Sequence, residues 1–451
     1  MAIPIPGKGN RANGERVPPA DTKGFRLEYQ GKKSREDILA MPAGRFSPNS
    51  VYSGGENRLY HADNLAVLAA LAQDDAVAGK VKLVYIDPPF ATAATFESRK
   101  QKHAYDDHLV GPDFVETLRE RLILIHRLLA DDGSLYLHLD ERMIFHFRVV
   151  LDEIFGEKNF RNCITRKKCN PKNYTRKTYG NVADYILFYT KSDSYVWNRP
   201  IEPWDEVKSV KEYPCVEADG RRCKKVPVHA PGVRNGETGK EWKGMLPPPG
   251  KHWQYKPSTL DEMDARGEIY WSPTGNPRRK IYLENSAGIP VQDIWMDFRD
   301  AHNQNIHITG YPTEKNPALL ARIIEASSNP SDLILDCYAG SGTTLVVASE
   351  LGRKWIGVDR SQEAITTMLN RLANGSDRMG DFVNEKSKAS SLPLFRITDF
   401  TLFEGEEENS QKLEEDNQAA PDEVLTIRSS KIKGARVELN AQLFIQPGLA
   451  R

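Results

Sequence analysis

Four residues early in this 451-residue chain could carry out chemistry: Asp87, Pro88, Pro89 and Phe90, directly after the apolar run Leu83–Ile86. An apolar run bounded by turn residues is typical of a buried strand of a parallel sheet, and ligands of such sheets bind beyond the carboxyl ends of the strands. The Asp87 carboxylate and the Pro88 carbonyl offer hydrogen-bond acceptors, and the Phe90 ring offers a flat apolar face. Acceptors beside a stacking ring suit a planar group with an exocyclic NH2. A plain strand-ending turn is the alternative.

A second candidate site is the glycine-rich stretch after Asp336. The apolar residues 333–335 predict a buried strand that ends at Asp336, and the stretch from Cys337 to Thr344 leads into a predicted helix. Glycines let the backbone turn tightly and approach a ligand closely at a helix N-terminus. Asp359 ends the next predicted strand, roughly 20 residues downstream, where an acid can hydrogen-bond a ribose diol. This stretch therefore predicts a site for a cofactor that contains a ribose.

The turn at Asp87 resembles the D-P-P-[YF] signature of DNA amino-methyltransferases, which methylate the exocyclic amine of adenine or cytosine. Upstream of the glycine-rich stretch, residues 311–317 resemble that family's [HY]-P-T-[QE]-K-P segment, which helps wall the methionine end of the cofactor. The catalytic turn precedes the cofactor strand, as in the beta group, which includes modification (Mod) subunits of type III restriction systems. The resemblance covers roughly residues 57–195 and 305–370.

Two positions depart from the family pattern. Asn316 stands before Pro317, where the family often has Lys followed directly by Pro, and Cys337-Tyr338 replaces the more usual Pro-Phe. A nicotinamide cofactor is an alternative for the glycine-rich stretch, but the G-x-G-x-x-G pattern is incomplete, with Leu345 at the third glycine position. No substrate-domain signature of a dehydrogenase follows. The turn at Asp87 also needs a partner, for which an S-adenosylmethionine site is expected.

The resemblance implies a fold, a reaction and a cofactor. The implied fold is α/β, a doubly wound, Rossmann-like sheet of seven strands with the last pair reversing direction and a circularly permuted motif order. The implied reaction is methyl transfer from S-adenosylmethionine to a base flipped out of double-stranded DNA, with no metal required. Adenine N6 is favoured over cytosine N4, because an initial Asp is commoner in the adenine enzymes. Catalysis is assigned to Asp87, Pro88, Pro89 and Phe90.

The cofactor-binding candidates combine the glycine-rich block with residues that the resemblance adds. In the resembled family an acid at the position of Asp63 lies near the adenine of the cofactor, although Asp63 could equally be the N-cap of the next helix. The full set is Asp63, Thr313, Asp336, Tyr338, Ala339, Gly340, Gly342, Thr343, Thr344 and Asp359.

Charge is unevenly distributed, although Lys plus Arg equals Asp plus Glu at 62 each. Residues 161–180 hold seven basic residues and no acidic one, whereas residues 404–423 hold nine acids and one lysine. Basic residues interleaved with aromatic ones suit phosphate contact and base stacking, and a merely solvated loop is the alternative. The DNA-binding candidates are Arg166, Lys167, Lys168, Lys172, Arg176 and Lys177.

Composition and motif order predict five regions. An N-terminal arm spans residues 1–50, and the catalytic half of a methyltransferase domain spans 51–195. The segment 196–300 has poor periodicity and many Pro, Gly and Trp residues, and residues 161–300 hold 25 basic and 18 acidic residues, so an irregular inserted module is predicted. By its position in the resembled family this module is the target recognition region. The cofactor-binding half spans 301–375, and an acidic linker with a tail spans 376–451.

Cysteine usage and hydropathy indicate the class of protein. Five scattered cysteines fit a reducing compartment, and their spacings are wider than the close pairs of structural zinc sites. No run of 18 apolar residues and no signal-peptide pattern is present, so a soluble cytoplasmic protein, most simply a bacterial one, is expected. Double-stranded DNA is the expected partner, a homodimer and a restriction subunit are further candidate partners, and no membrane is involved.

Two other function classes remain open at this point. One is an RNA or protein-amide methyltransferase, because N-P-P-[YF] turns occur there; Asp87 and the basic insert favour DNA. The other is a non-catalytic DNA-binding subunit, against which the intact Asp87, Phe90, Gly340 and Gly342 argue. His138 ends another predicted strand, and a packed core histidine is the favoured interpretation. The segment from Ala91 to Asp107 is predicted to be a loop that orders over the bound base or DNA.

Overall fold

We describe the fold from a computed structural model of the chain. The structure describes residues 25–89, 111–170, 177–298, 314–374 and 398–405, together with the backbone of residues 94–97 and 103–107. The helices are α1 (Arg35–Leu39), α2 (Asn64–Leu71), α3 (Gly111–Leu128), α4 (Ile144–Phe155), α5 (Glu206–Glu212), α6 (Pro257–Ala265), α7 (Pro317–Ser327), α8 (Thr343–Glu350) and α9 (Gln362–Asn374), with single 3-10 turns at Glu157–Asn159, Glu237–Gly239 and Leu283–Asn285.

The strands belong to one large sheet and several small ones. In chain order they are β1 (Phe46–Pro48), β2 (Asn57–His61), β3 (Val81–Ile86), β4 (Ala94–Glu97), β5 (His103–Asp107), β6 (Leu129–Leu139), β7 (Phe160–Lys167), β8 (Ala183–Thr190), β9 (Ile201–Glu202), β10 (Cys215–Val216), β11 (Arg222–Pro227), β12 (His229–Pro231), β13 (Lys251–Trp253), β14 (Ile269–Trp271), β15 (Pro277–Tyr282), β16 (Ile289–Pro290), β17 (Ile294–Trp295), β18 (Leu333–Asp336), β19 (Lys354–Asp359) and β20 (Phe400–Gly405).

The large sheet has the strand order β1-β20-β2-β19-β18-β3-β6-β8-β7-β17. The strands from β20 to β6 run parallel to one another, and β8 runs antiparallel to both of its neighbours. The predicted doubly wound α/β fold is therefore confirmed. The structure differs in detail, because β1, β20 and β17 extend the predicted seven strands to ten. In addition, the reversed strands are β8 and the edge strand β1, which runs antiparallel to β20, whereas reversal of the last pair was expected.

Helices cover both faces of this sheet, since side chains on both faces of its central strands are buried. In β3 the side chains of Val84 and Ile86 pack beneath α2, α3 and α4, whereas those of Leu83 and Tyr85 face the opposite core. The opposite core contains the apolar faces of α7, α8 and α9. Both faces of the central strands are thus buried, which explains why these strands are near-continuous apolar runs in the sequence.

Strand order brings the two motif blocks together. The late strand β18 lies between β19 and the early strand β3, with Leu335 paired to Val84. Since the strands are parallel, Asp87 after β3, Asp336 at the end of β18 and Asp359 at the end of β19 lie along the same edge of the sheet. This edge is where ligands bind in open α/β sheets.

The segment 196–298 has more regular structure than its sequence pattern predicts. Strands β10, β11, β15 and β14 form an antiparallel sheet. A separate small core packs against it; its buried members are Val228, Trp242, Trp253, Leu260, Met263 and Ile269. The strands are short, and β11 pairs with β15 across more than 50 residues of chain, with Cys223 opposite Tyr282. Such non-local pairing leaves no periodic signal in the sequence.

The region predicted as an N-terminal arm is docked where the structure describes it. Ile38 of α1 is fully buried, the Tyr29 hydroxyl donates a hydrogen bond to Glu116 on α3, and Lys32 Nζ lies 2.9 Å from Glu153 on α4. Residues 1–24 and the tail from residue 406 lie outside the described residues, as does most of the acidic stretch. Within the described part of the chain, no helix combines the length and the apolar character needed to cross a bilayer.

Candidate active site

The two carboxylate oxygens of Asp87, which follows β3, differ in their contacts. Its Oδ2 forms an ion pair with Lys315 Nζ. Its Oδ1 is buried and has no hydrogen-bond partner among the described residues. A buried acceptor without a donor is costly unless a ligand supplies one. Pro88 and Pro89 follow as predicted, and Phe90 lies outside the described residues.

A row of polar side chains supports Asp87 from one face of the sheet. It contains Tyr85, His138, Asp184 and Arg166, one from each of the adjacent strands β3, β6, β8 and β7. His138 Nδ1 lies 2.8 Å from the Tyr85 hydroxyl and 3.8 Å from Asp87 Oδ1, and its Nε2 lies 3.0 Å from Asp184 Oδ2. His138 is a fully buried histidine, as interpreted from the sequence, but its place beside Asp87 was not predicted.

Asp184 is the negative centre of this row. Burial alone would raise the pKa of Asp184, but His138, Arg166 and Lys315 outweigh burial and hold that pKa well below its ordinary value. The carboxylate is therefore ionised at neutral pH and attracts His138 on one side and Arg166 on the other. The row holds the imidazole in a fixed position next to Asp87.

Arg166 corrects one of the DNA-binding predictions. Its guanidinium is fully buried, with Nη1 2.9 Å from Asp184 Oδ2 and Nε donating to the carbonyl oxygen of Phe298 at 2.7 Å. The prediction that Arg166 contacts the DNA backbone is wrong for this structure, because phosphate contact requires an exposed guanidinium. Lys167 and Lys168 are half-buried and Lys177 is exposed, whereas Lys172 and Arg176 lie outside the described residues.

The glycine-rich loop is shaped by hydrogen bonds to two acids. Asp336 Oδ1 accepts from the Tyr338 N–H at 3.0 Å, and Asp336 Oδ2 accepts from the Thr344 hydroxyl at 2.6 Å. Gly340 and Gly342 have φ values of +52° and +75°, which L side chains rarely adopt. Gly342 is the N-cap of α8, so the loop leads directly into a helix N-terminus. Ala339, which lies between Tyr338 and Gly340 in the sequence, is buried.

Asp359 and Thr343 fix this loop from neighbouring elements. Asp359 Oδ2 accepts from the Gly340 N–H at 2.8 Å, and its Oδ1 accepts from the Ser361 N–H at 2.8 Å. The Thr343 hydroxyl lies 2.8 Å from Arg371 Nη1 on α9. Each Asp359 oxygen retains a lone pair, so hydrogen bonding to a ribose hydroxyl remains open to it.

Asp63 has the structural role that the sequence left open. It is the N-cap of α2, and its Oδ1 accepts from the Leu65 N–H at 2.8 Å. Its side chain is 47% exposed, so a further contact is sterically possible, and its role toward the cofactor stays a prediction. Thr313 lies outside the described residues. Sequence reasoning missed Lys315, which it had placed only within the cofactor segment.

The loop and its acids fit a cofactor with a ribose. Two positive-φ glycines shape the turn at the start of a helix, two acids lie at adjacent strand ends, and Asp87 with its buried acceptor is one strand away. Within the described ranges no cluster of three or more His, Cys, Asp or Glu side chains is arranged to hold a metal ion.

The Asp336 carboxyl is expected to make stability depend on pH. Burial raises its pKa to about 7, against the hydrogen bonds from Thr344 and Tyr338 that lower it, and Asp87 adds to the increase. An acid with a folded-state pKa above its unfolded value binds a proton on folding between those two pH values. Stability therefore falls as the pH rises from the unfolded pKa to about 7.

Asp336→Asn resembles the neutral acid at every pH. We therefore expect the unfolding free energy of Asp336→Asn, relative to that of the natural protein, to increase by roughly 3 kcal/mol as the pH rises from 5 to 8. Thermal unfolding of both proteins without cofactor measures this difference. Asp131→Asn is the control, because the Asp131 side chain is fully exposed. A stability difference that does not change with pH would contradict the assignment of a neutralised Asp336.

Comparison with known proteins gives a family and several relatives. A family profile described as DNA methylase matches residues 81–370. The type II methyltransferase M.EcaI of Enterobacter cloacae is 52% identical over 316 residues, covering 70% of this chain and 70% of that protein. The StyLTI Mod subunit of a type III restriction-modification enzyme of Salmonella typhimurium is 25% identical over 369 residues, covering 72% of this chain and 55% of the subunit.

A further relative matches over a shorter length. The DNA adenine methyltransferase YhdJ of Escherichia coli strain K12 is 55% identical over 137 residues. The match covers 27% of this chain and 46% of that protein.

Proposed function

The chain belongs to the DNA methylase family, and on this premise we propose that it methylates N6 of adenine at one recurring sequence in double-stranded DNA. The resemblance to DNA amino-methyltransferases and to type III Mod subunits is confirmed by the family match and the relatives. S-adenosylmethionine is the methyl donor of this family, and it supplies a methyl group on a sulfonium centre. The observation that carries the proposal is the buried Oδ1 of Asp87, which accepts no hydrogen bond from any residue that the structure describes.

Asp87 and Pro88 activate the target amine in this mechanism. The lone pair of an exocyclic amine is delocalised into the base, which makes the nitrogen a poor nucleophile. When Asp87 Oδ1 and the Pro88 carbonyl each accept one N–H bond, the nitrogen becomes more tetrahedral and its lone pair localises. Catalysis then comes mainly from positioning and electrostatics. The Asp87 carboxylate is also placed to attract the proton that the amine releases.

The target base must leave the duplex to reach Asp87. Its amine is inaccessible within stacked, paired DNA, so a flipped base is the substrate form. We assign base stacking to Phe90 from its place in the sequence after Pro89. Tyr338, Gly340, Gly342, Thr343 and Asp359 are the proposed contacts of the methyl donor, together with Asp63 and Thr313.

Adenine is favoured over cytosine by two observations. The turn begins with Asp87, which is the residue commoner in the adenine enzymes of the family. The 137-residue match to an enzyme named as an adenine methyltransferase adds support. Cytosine N4 is the alternative, since the same mechanism serves both amines. Nucleoside analysis by mass spectrometry of DNA methylated by the purified protein separates N6-methyladenine from N4-methylcytosine. N4-methylcytosine alone would overturn the choice of base.

The inserted region presents a cationic face suited to DNA. On one face of the small sheet, Lys225 pairs across the strands with Lys280, and Tyr270 pairs with Arg278. Lys225 Nζ lies 3.6 Å from the centre of the Tyr270 ring, and Arg278 is exposed. Lys280 is already paired with Glu217 at 2.6 Å. We therefore assign DNA backbone contact to Lys225 and Arg278, with the exposed Lys177 as a further candidate.

We expect the double variant Lys225→Ala, Arg278→Ala to bind unmethylated duplex DNA more weakly and to lower the salt dependence of binding by about two ion equivalents. Fluorescence anisotropy titrations at several salt concentrations measure both effects. Lys240→Ala is the matched control, because Lys240 is an exposed lysine of the same region that pairs with Glu237. Equal affinity and equal salt slope of the double variant and the control would contradict this assignment.

Partners and location complete the proposal. Double-stranded DNA is the substrate, and a homodimer and a restriction subunit are candidate partners, the latter by analogy with the type III Mod relative. A cytoplasmic location in a bacterial cell is supported by the bacterial sources of the relatives.

A further inference from the structure

Glu314 and Lys315 are adjacent residues of opposite charge that reach two different parts of the site. They directly precede α7, whose N-cap Asn316 accepts a hydrogen bond from the Ala318 N–H at 2.9 Å and whose first residue is Pro317. The apolar face of α7 is buried in the core on one side of the sheet. The two charged side chains are therefore attached to a rigid helix start.

Lys315 connects this segment to the catalytic turn. Its ammonium pairs with Asp87 Oδ2, and the two side chains are 9% and 16% exposed. A buried carboxylate needs a partner of opposite charge to remain ionised and in place. Because Lys315 holds Oδ2, the Oδ1 atom of Asp87 is the oxygen that can accept a hydrogen bond from a target amine.

Glu314 connects the same segment to the glycine-rich loop. Its Oε1 lies 3.0 Å from Arg371 Nη1, and both side chains are almost fully buried. The same Arg371 nitrogen lies 2.8 Å from the Thr343 hydroxyl and 3.4 Å from the carbonyl oxygen of Ser341. Glu314 therefore reaches the loop indirectly, through the Arg371 guanidinium that also contacts Thr343 and Ser341.

We propose that Glu314 and Lys315 are positioning residues that couple the glycine-rich loop to the Asp87 carboxylate. Lys315 orients Asp87 for the incoming amine, and Glu314 holds the loop through Arg371. Because both residues are attached to the same rigid helix start, one segment positions both parts of the site, each through its own ion pair. This inference rests on the proposed role of Asp87.

Kinetics of Lys315→Met test the first half of this coupling. We expect a fall in kcat on the order of 100-fold, because a displaced carboxylate no longer meets the amine, with little change in S-adenosylmethionine affinity. Lys315→Arg keeps the charge and should recover part of the lost rate. Lys82→Met is the matched control. Lys82 pairs with Asp132 at 2.5 Å, at the end of β3 opposite to Asp87.

The pH dependence of kcat gives a readout that a purely structural role would not change. The titratable or charged groups around Asp87 are Tyr85, His138, Asp184, Arg166, Asp336 and Lys315. Lys315→Met removes the positive charge that pairs with Asp87 Oδ2, so the acid limb of the kcat profile should move to higher pH. In Lys315→Arg the limb should stay near that of the natural protein.

Calorimetry of Glu314→Gln tests the second half. We expect weaker S-adenosylmethionine binding, about tenfold, because the loop loses the charge that fixes Arg371. Glu325→Gln on α7, far along the same helix, is the control.

The outcomes separate this inference from the function it rests on. Activity of Lys315→Met within about threefold of the natural protein, or a loss confined to cofactor affinity, overturns the coupling if Asp87→Ala is inactive in the same assay. Unchanged cofactor affinity in Glu314→Gln overturns the role of Glu314. An active Asp87→Ala overturns the proposed mechanism itself. The assay follows labelled methyl transfer from S-adenosylmethionine to unmethylated bacteriophage DNA.

Discussion

Asp87→Ala is expected to lower methyl transfer to DNA by on the order of 1,000-fold, with S-adenosylmethionine affinity largely intact. The variant removes the buried acceptor Oδ1 that has no other partner among the described residues, and it leaves Lys315 without its carboxylate. The glycine-rich loop is shaped by Asp336 and Asp359, which the change does not touch. The loss should therefore fall on the chemical step.

Single-turnover kinetics and calorimetry together measure this prediction. The kinetics report the rate of methyl transfer on bound DNA, and the calorimetry reports cofactor affinity. Asp132→Ala is the control. Asp132 on β6 also pairs with a lysine, Lys82 at the amino end of β3, but this pair lies away from the site. Near-normal rates in Asp87→Ala would remove Asp87 from the mechanism.

Gly342→Asp is expected to reduce S-adenosylmethionine affinity by more than about 100-fold. Gly342 has a φ of +75° at the N-cap of α8, and a Cβ there would lie 2.7 Å from Met368 Cγ on α9. The side chain therefore strains the backbone and displaces α9, which also carries Arg371. Both effects distort the loop that is proposed to hold the cofactor.

A second glycine provides a matched control for backbone strain. Gly352 follows α8, has a φ of +73°, and an added Cβ would meet no atom within 4 Å among the described residues. Gly352→Asp should lose stability through its φ alone and keep its cofactor affinity. Isothermal calorimetry on both variants, after circular dichroism has established folding, measures the difference. Unchanged affinity in Gly342→Asp would contradict this placement of the cofactor.

The elements around Asp87 and Asp336 were predictable because their strands are buried on both faces. The apolar run Leu83–Ile86 lies within β3, and the strand predicted to end at Asp336 is β18, which ends at that residue. Continuous apolar runs followed by acids, prolines or glycines leave few alternatives to a parallel strand and its turn. The doubly wound fold was then implied by the resemblance to the family.

The polar row beneath Asp87 was not predictable from the sequence. His138, Asp184 and Arg166 are far apart in the chain and meet only because β6, β8 and β7 are neighbours in the sheet. Arg166 lies in a basic run that is typical of an exposed loop, yet its side chain points to the buried face of a strand. A weak signal existed in each strand, namely a polar residue at an inward position of an otherwise apolar alternation.

The edges of the sheet were missed for a related reason. Strands β1, β17 and β20 have six residues or fewer and pair with segments remote in sequence, such as Phe46 with Gly405. Short edge strands carry little apolar periodicity. Lys315 was assigned to the cofactor segment by its motif, and only the packing of α7 against the sheet shows that it reaches Asp87.

Single-molecule sequencing of DNA from cells that express the protein, compared with cells that express Asp87→Ala, tests the central claim most directly. We predict N6-methyladenine at one recurring sequence in the first DNA and none in the second. N4-methylcytosine at a recurring sequence would preserve the mechanism and change the base. A modification that persists in Asp87→Ala, or the absence of any DNA modification with the natural protein, would contradict the account.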